Sequence, residues 1–344
     1  MTSLRDVARL AGVSVATASR VASGSSSVRP ATREQVERAM RELLYVPPVR
    51  RQETGLIGVL VPELANPIFP ALAQAIETRA APSGLASILC NTREAAFREV
   101  DYVHMLLDRR VEGMIFISCE MTNLRGEHTH YARLVAEGAR IVFVNGALHT
   151  LNVPSVGVDE RAAGEIATQH LLDLGHERIG FVAGPVHYLP TQLKAAGRAT
   201  ALTAAGLEPA GLTAYAEFGI EGGRRAVAEL LELPEPPTAV ICSSDLMAIG
   251  ALQEATRRGV GVPDELSIVG FDGIDAATWT TPPLTTVEQP IAEIADTAVA
   301  TLTSLIERPD RALPNSYFPP ALRVAGSTAP PARVGRLARA AAGS

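Results

Sequence analysis

Residues 4–24 read LRDVARLAGVSVATASRVASG. Leu4, Val7, Ala8 and Ala11 fall at i, i+3, i+4 and i+7, which gives one helix an apolar face. Gly12 breaks that helix, because glycine accepts the positive φ of a tight turn. Ser14 suits the N-cap of a second helix, Val15 to about Ala22, with Ala18 and Val21 on its inner side. The outer side shows Val15, Ala16, Thr17, Ser19 and Arg20. The glycine-serine run at 23–27 is a stop, and Pro30 suits the first turn of a third helix. That helix repeats an apolar stripe at Val36, Ala39, Met40, Leu43 and Leu44. Two short helices across a glycine turn, with a third behind, form a helix-turn-helix. A helix that enters the major groove must be slim at its start and able to donate hydrogen bonds. Arg20 can bond guanine or a phosphate, and Thr17 and Ser19 suit phosphate oxygens or base edges. The pattern alone fits equally a small helical bundle with solvated arginines.

The charge around this stretch favours a polyanion partner. Residues 1–55 hold nine arginines against five acids, a balance of +4. The whole chain of 344 residues carries −6, which leaves −10 for residues 56–344. A basic head on an acidic body suggests a nucleic-acid binder joined to something else. The basic residues are thirty arginines and one lysine, Lys194. At 47% hydrophobic residues the chain is not disordered throughout. Its length is comfortable for two or three domains. No apolar run reaches the roughly 18 residues of a membrane helix, and the start lacks a signal core. Cys90, Cys119 and Cys242 are odd in number and widely spaced, so a reducing cytoplasm is the expected setting.

The body alternates strand and helix. Residues 56–61, LIGVLV, form a continuous apolar run, as for a strand buried on both faces. Similar runs recur at 87–90, 113–118, 140–144, 178–183, 239–243 and 267–271. Helical stretches such as 97–107, 162–174 and 246–257 separate them. Such a series builds parallel sheets covered on both faces, here two doubly wound α/β subdomains that bind ligands beyond the strands' carboxyl ends. No phosphate-binding loop, full G-x-G-x-x-G or G-x-S-x-G elbow is present. The seven histidines show no metal-ligand spacing, and His128 and His130 beside Tyr131 read as a loop or helix start. Neither an enzyme nor a cofactor is expected.

Residues 4–24 closely resemble the headpiece of the lac repressor (LacI/GalR) family of bacterial transcription regulators, whose helices read D-V-A-x-x-A-G-V-S-x-x-T-V-S-R-V-L-N-G. The sequence departs at Ala18, Ala22 and Ser23, where the family usually shows Val, Leu and Asn. VRPATREQVERAMRELLYVP (28–47) is similar to the family's third helix and the Tyr-x-Pro that ends it. The resemblance continues over 56–328 through NPIF (66–69), HLLDLGHERIGFVAGP (170–185), TAVICSSDLMAIGAL (238–252) and SIVGFDGIDAATWTTPPLTTVEQP (267–290). It implies a periplasmic-binding-protein-like core of two lobes with three crossover strands and an effector in the cleft. It further implies that Val15, Ala16 and Arg20 touch base edges, with thymine methyls favoured at the first two, and that Thr17 and Ser19 touch phosphates. Carried over by motif, the effector positions are Phe69, Asn145, Lys194, Phe218, Ser244, Asp272 and Gln289. Lys194 stands where the family has an arginine, and the resemblance implies that it contacts a sugar hydroxyl or ring oxygen.

The expected organisation is a headpiece at 1–46, a linker at 47–55 and a core at 56–328. The N-lobe would hold about 56–156 and 288–312, the C-lobe about 157–287 and 313–328, and a disordered tail 329–344. Only eleven residues separate Tyr45 from Ile57, and Pro47-Pro48 favours extended chain. The family's hinge helix and its leucine wedge therefore have little room, and Arg50 and Arg51 are expected to contact phosphate or the minor groove. The linker and PELANPIFP (62–70) also resemble actinobacterial maltose-type regulators, which implies an α-glucoside effector. The partners so implied are a pseudopalindromic double-stranded operator, a small sugar and a second copy of the chain, in the cytoplasm with the nucleoid and without a membrane. A transporter's solute-binding protein would fit the core but not the basic head. A Rossmann-type enzyme would lack its catalytic groups.

Overall fold

The computed structural model describes residues 3–22, 28–43, 45, 54–92, 98–209, 211–309 and 311–332. Ser23, Leu44, Phe97, Arg50, Arg51, most of the linker and the tail from 333 lie outside the described residues. The chain divides into two compact units, Met1–Glu53 and Thr54–Ser344.

The first unit contains α1 (Leu4–Leu10), α2 (Val15–Ala22) and α3 (Pro30–Glu42). Ser3 caps α1 in a reciprocal box with Asp6, which satisfies donors that a helix start leaves orphaned. Gly12 turns the chain at φ +64, and α3 opens on Pro30. Val7, Ala8, Ala18, Val21, Val36, Ala39 and Met40 form the buried centre. The apolar stripes of all three helices thus meet, as their spacing requires.

The second unit begins with β1 (Leu56–Val61), α4 (Ile68–Ala80), β2 (Ala86–Asn91), α5 (Glu99–Asp108), β3 (Gly113–Ile117), α6 (Thr129–Ala136), β4 (Ile141–Val144) and β5 (Ser155–Val158). The chain then crosses to a second lobe of α7 (Glu160–Asp173), β6 (Ile179–Ala183), α8 (Leu189–Ala204), β7 (Thr213–Tyr215), α9 (Ile220–Leu231), β8 (Ala239–Cys242), α10 (Asp245–Arg258), β9 (Ser267–Asp272) and β10 (Thr285–Glu288). It returns through α11 (Ile291–Glu307) and ends on β11 (Ser316–Phe318) and β12 (Ala321–Arg323). The first sheet runs β2-β1-β3-β4-β5-β11, the second β7-β6-β8-β9-β10-β12. Among the described residues, all strand pairs are parallel except β12 against β10. Central strands such as β3 and β9 are buried along their whole length, so they read as unbroken apolar runs, whereas the edge strand β2 is partly exposed.

Two expected boundaries move. β11 pairs with β5 in the first sheet, held by Asn315 Oδ1, which accepts from Ser155 N at 2.9 Å, and by Phe318 O, which accepts from Asp159 N at 2.8 Å. The first lobe therefore keeps β5 to Val158, and the third crossing lies between Phe318 and Ala321 rather than at 312–313. The tail is tied down beyond its expected start, because Ala329 O accepts from Ser267 Oγ at 3.0 Å. The strands β5, β7 and β10 are only three or four residues long and give one or two of those positions to Ser or Thr, which leaves no continuous apolar run. The buried hydroxyls of β5 and β10 are satisfied instead, Ser155 by Gly146 O at 2.5 Å and Thr286 by Asp245 at 2.5 Å. Among the described residues, no helix is long and apolar enough to cross a membrane.

Candidate DNA interface and effector cleft

The outer face of α2 is built by its cap. Ser14 Oγ accepts from Thr17 N at 3.1 Å and shares a 2.9 Å hydrogen bond with the Thr17 hydroxyl. Thr17 is therefore half-buried against the helix start, while Val15, Ala16, Ser19 and Arg20 are exposed and Ala18 and Val21 are buried. Val15 leaves 46% of its surface in solvent at the first position of the helix. A slim apolar start followed by hydroxyl and guanidinium groups can meet thymine methyls, phosphates and guanine edges in turn.

In the second unit, the carboxyl ends of both sheets face one hollow. Phe69, Asn145, Lys194, Phe218, Ser244, Asp272 and Gln289 all line it, although they come from seven separate stretches of chain. Phe69 enters from α4 and Asn145 from the end of β4, where it holds φ +53. Asp272 ends β9 at φ +123. Gln289 links the lobes: its Nε2 donates to Asp272 Oδ1 at 2.9 Å and its Oε1 accepts from Asn145 Nδ2 at 2.7 Å. Ser244 points its hydroxyl to Met247 N at 3.3 Å as the cap of α10, so its first role is local. The lobes also meet at the rim, where Leu124 N donates to His187 O at 2.8 Å and Asn123 bridges Tyr188. The hollow holds only ≈ 70 Å³. That is room for about two waters, against the roughly 300–1,000 Å³ of sites that enclose small molecules.

Lys194 is not on a solvated helix face. It is 5% exposed, its Nζ pairs with Glu160 Oε2, and it lies 3.7 Å from the centroid of the Phe271 ring. Glu160 was not singled out by sequence. Its position just past the carboxyl end of β5, where such sheets bind ligands, was the available signal. Asn66, whose Nδ2 lies 3.5 Å from Asp272 Oδ2, was likewise missed.

Burial governs the carboxyl groups. Desolvation pushes Asp272 well above the usual carboxylate range, and the neighbouring Asp245 adds to the rise. Desolvation also lifts Asp245 to about 6, against the pull of three hydrogen bonds from Thr286, Ile274 and Gly273. Those bonds tie the turn after β9 to the start of α10 and so fix Asp272 in the cleft. Desolvation raises Glu160 too, and Lys194 opposes it.

A larger hollow of ≈ 660 Å³ lies beside α5 and α6 and contains none of the expected cleft residues. His130 Nε2 meets Glu99 Oε1 there at 2.8 Å, and His128 Nε2 meets Glu120 O at 3.0 Å. Among the described residues, no group of three or more His, Cys, Asp or Glu could hold a metal ion.

Comparison with known proteins bears on both units. Residues 3–48 match the model of bacterial regulatory proteins, lacI family, and residues 168–328 match a periplasmic binding protein-like domain. A relative from Streptomyces limosus, named an uncharacterized HTH-type transcriptional regulator in the aml 5'region, is 41% identical over 95% of this chain and 94% of its own. The structure of the transcriptional regulator CelR in complex with cellobiose aligns at 29% identity and TM-score 0.72, covering 95% of this chain and 100% of the other. The lac repressor dimer bound to operator and the anti-inducer ONPF aligns at 28% identity and TM-score 0.71, covering 95% and 99%.

Proposed function

This chain belongs to the lacI family of bacterial regulatory proteins, and we propose that a sugar held in its cleft governs how its headpiece grips an operator. It is a DNA-binding transcription regulator, not an enzyme. The observation that carries the proposal is the meeting of Phe69, Asn145, Lys194, Phe218, Asp272 and Gln289 in one hollow between lobes joined through Gln289. Carboxylates and amides there can take paired sugar hydroxyls, and the Phe69 and Phe218 rings can pack on a sugar's apolar face. An α-glucoside is the effector we favour.

Val15, Ala16 and Arg20 read bases and Thr17 and Ser19 hold phosphates. Two copies of the chain meet a pseudopalindromic site, because a twofold protein needs a twofold target. The linker arginines Arg50 and Arg51 add contacts to phosphate or the minor groove. The work is repression, done in the cytoplasm beside the nucleoid. The sugar acts by its differential affinity for open and closed cleft, since a molecule that binds both equally shifts neither.

A thermal-shift panel of mono- and disaccharides on the full chain tests this. At least one saccharide should raise the melting temperature of wild type and leave Asp272→Ala unmoved. A panel in which no saccharide stabilises the protein, or in which the variant responds equally, contradicts the proposal.

A further inference from the structure

The cleft carries more acid than base. Among the described residues its acidic and basic lining groups are Lys194 against Glu63, Glu160 and Asp272. The lysine already has a partner. Its side chain is 6% exposed and that of Glu160 is 8%, and the two are in direct contact. The pair is a product of helix packing. Glu160 opens α7, directly after its cap Asp159, and Lys194 lies in α8. Gly164 and Gly197 let these helices touch: a methyl at Gly164 would strike the Lys194 carbonyl, and one at Gly197 the Arg161 carbonyl. An ammonium is a compact point charge that can serve a carboxylate or a phosphate. In this cleft the carboxylate is part of the protein.

We propose that Glu160 is the specificity-determining residue of the cleft, holding Lys194 in a buried ion pair so that the site admits uncharged polyhydroxy compounds and refuses phosphorylated ones. The proposal rests on the reading of the cleft as an effector site and names the class that site admits. A phosphate would have to break the pair and then sit against the freed Glu160 carboxylate in a poorly solvated hollow, where like charges repel far more than in water. A sugar hydroxyl can accept from Lys194 and donate to either carboxylate with the pair intact. Glutamine at position 160 keeps the size and releases the ammonium.

The test uses the full chain with inorganic phosphate as probe, reading the melting temperature against sodium chloride at equal ionic strength. Phosphate stabilises folded proteins generally by exclusion from their surface, so the quantity that counts is the difference between variants. Glu160→Gln should gain about 3 °C more from phosphate than wild type, and Glu160→Gln/Lys194→Gln should lose that gain. Equal increments in all three proteins overturn the proposal. A second arm needs only wild type: saccharides are each paired with their 6-phosphate. Each phosphate should stabilise the protein less than its parent, and one that stabilises it as much or more overturns the proposal. If the phosphate gain appears in Glu160→Gln while no parent saccharide binds, Glu160 keeps this role and the sugar reading of the cleft falls.

Discussion

Asp272 concentrates cost at one residue. A non-glycine backbone at φ +123 stores about 1–3 kcal/mol, and its buried carboxyl has Asp245 for a neighbour. The cost has a pH signature. Unfolded aspartates release their protons near pH 3.9, whereas Asp245 is lifted to about 6 and Asp272 is raised as well. From pH ~4 upward to ~6 the folded chain therefore holds protons that the unfolded chain has lost. The pair's contribution to stability falls as pH rises through that window. Asp272→Asn should melt above wild type at pH 7, by a margin that shrinks toward pH 4, while losing saccharide binding. Melting curves at several pH values check this, and a margin independent of pH would refute it. On the DNA side, exposed Arg20 invites the converse substitution. Arg20→Ala should weaken operator binding by about 1–3 kcal/mol and relax preference at one base pair, as measured by anisotropy titrations on single-base variants of the site.

At the scale of elements, what was legible in the sequence is what repeats along it. Headpiece stripes such as Val36, Ala39 and Met40, and fully buried strands such as β3 and β9, declare themselves by periodicity. The four-residue strands β5 and β10 do not, because they spend one or two positions on Ser or Thr, whose buried hydroxyls are satisfied by Gly146 nine residues back and by Asp245 in another element. The cleft positions Phe69, Asn145, Lys194, Phe218, Ser244, Asp272 and Gln289 were legible only through the family resemblance, which carries them over motif by motif. Glu160 was not, since its partner Lys194 sits on another helix and only the α7–α8 approach brings them together. That approach yields a prediction. Gly197→Ala should force α7 and α8 apart, costing about 1–3 kcal/mol of overpacking, and should weaken saccharide binding together with stability. A denaturant titration beside a saccharide titration reads both, and an unchanged midpoint would mean that the helices separate freely. In the headpiece, Ser14→Ala removes the cap of α2 and should cost about 0.5–2 kcal/mol, visible as an earlier headpiece transition in circular dichroism with the core transition unmoved.

At the scale of the whole molecule, a basic amino end and an acidic remainder share one chain of net charge −6. Operator binding through the headpiece should release counterions, and so lose about 10³–10⁵ in affinity between 50 and 200 mM salt if 6–10 phosphates are engaged. Saccharide binding in the cleft, which sets an uncharged molecule among paired charges, should change little over the same range. The two salt responses separate the two activities in one preparation. What joins them is the claim that a closed cleft and a gripped operator are linked equilibria. Anisotropy titration of a labelled duplex from the chain's own upstream DNA, at low salt, tests that link most directly when run with and without the saccharide that best stabilises wild type. The account predicts saturable binding whose midpoint the saccharide moves at least ~5-fold, the lower range of allosteric coupling, in wild type and not in Asp272→Asn. Binding to no duplex at all, or a midpoint indifferent to the saccharide, would contradict it.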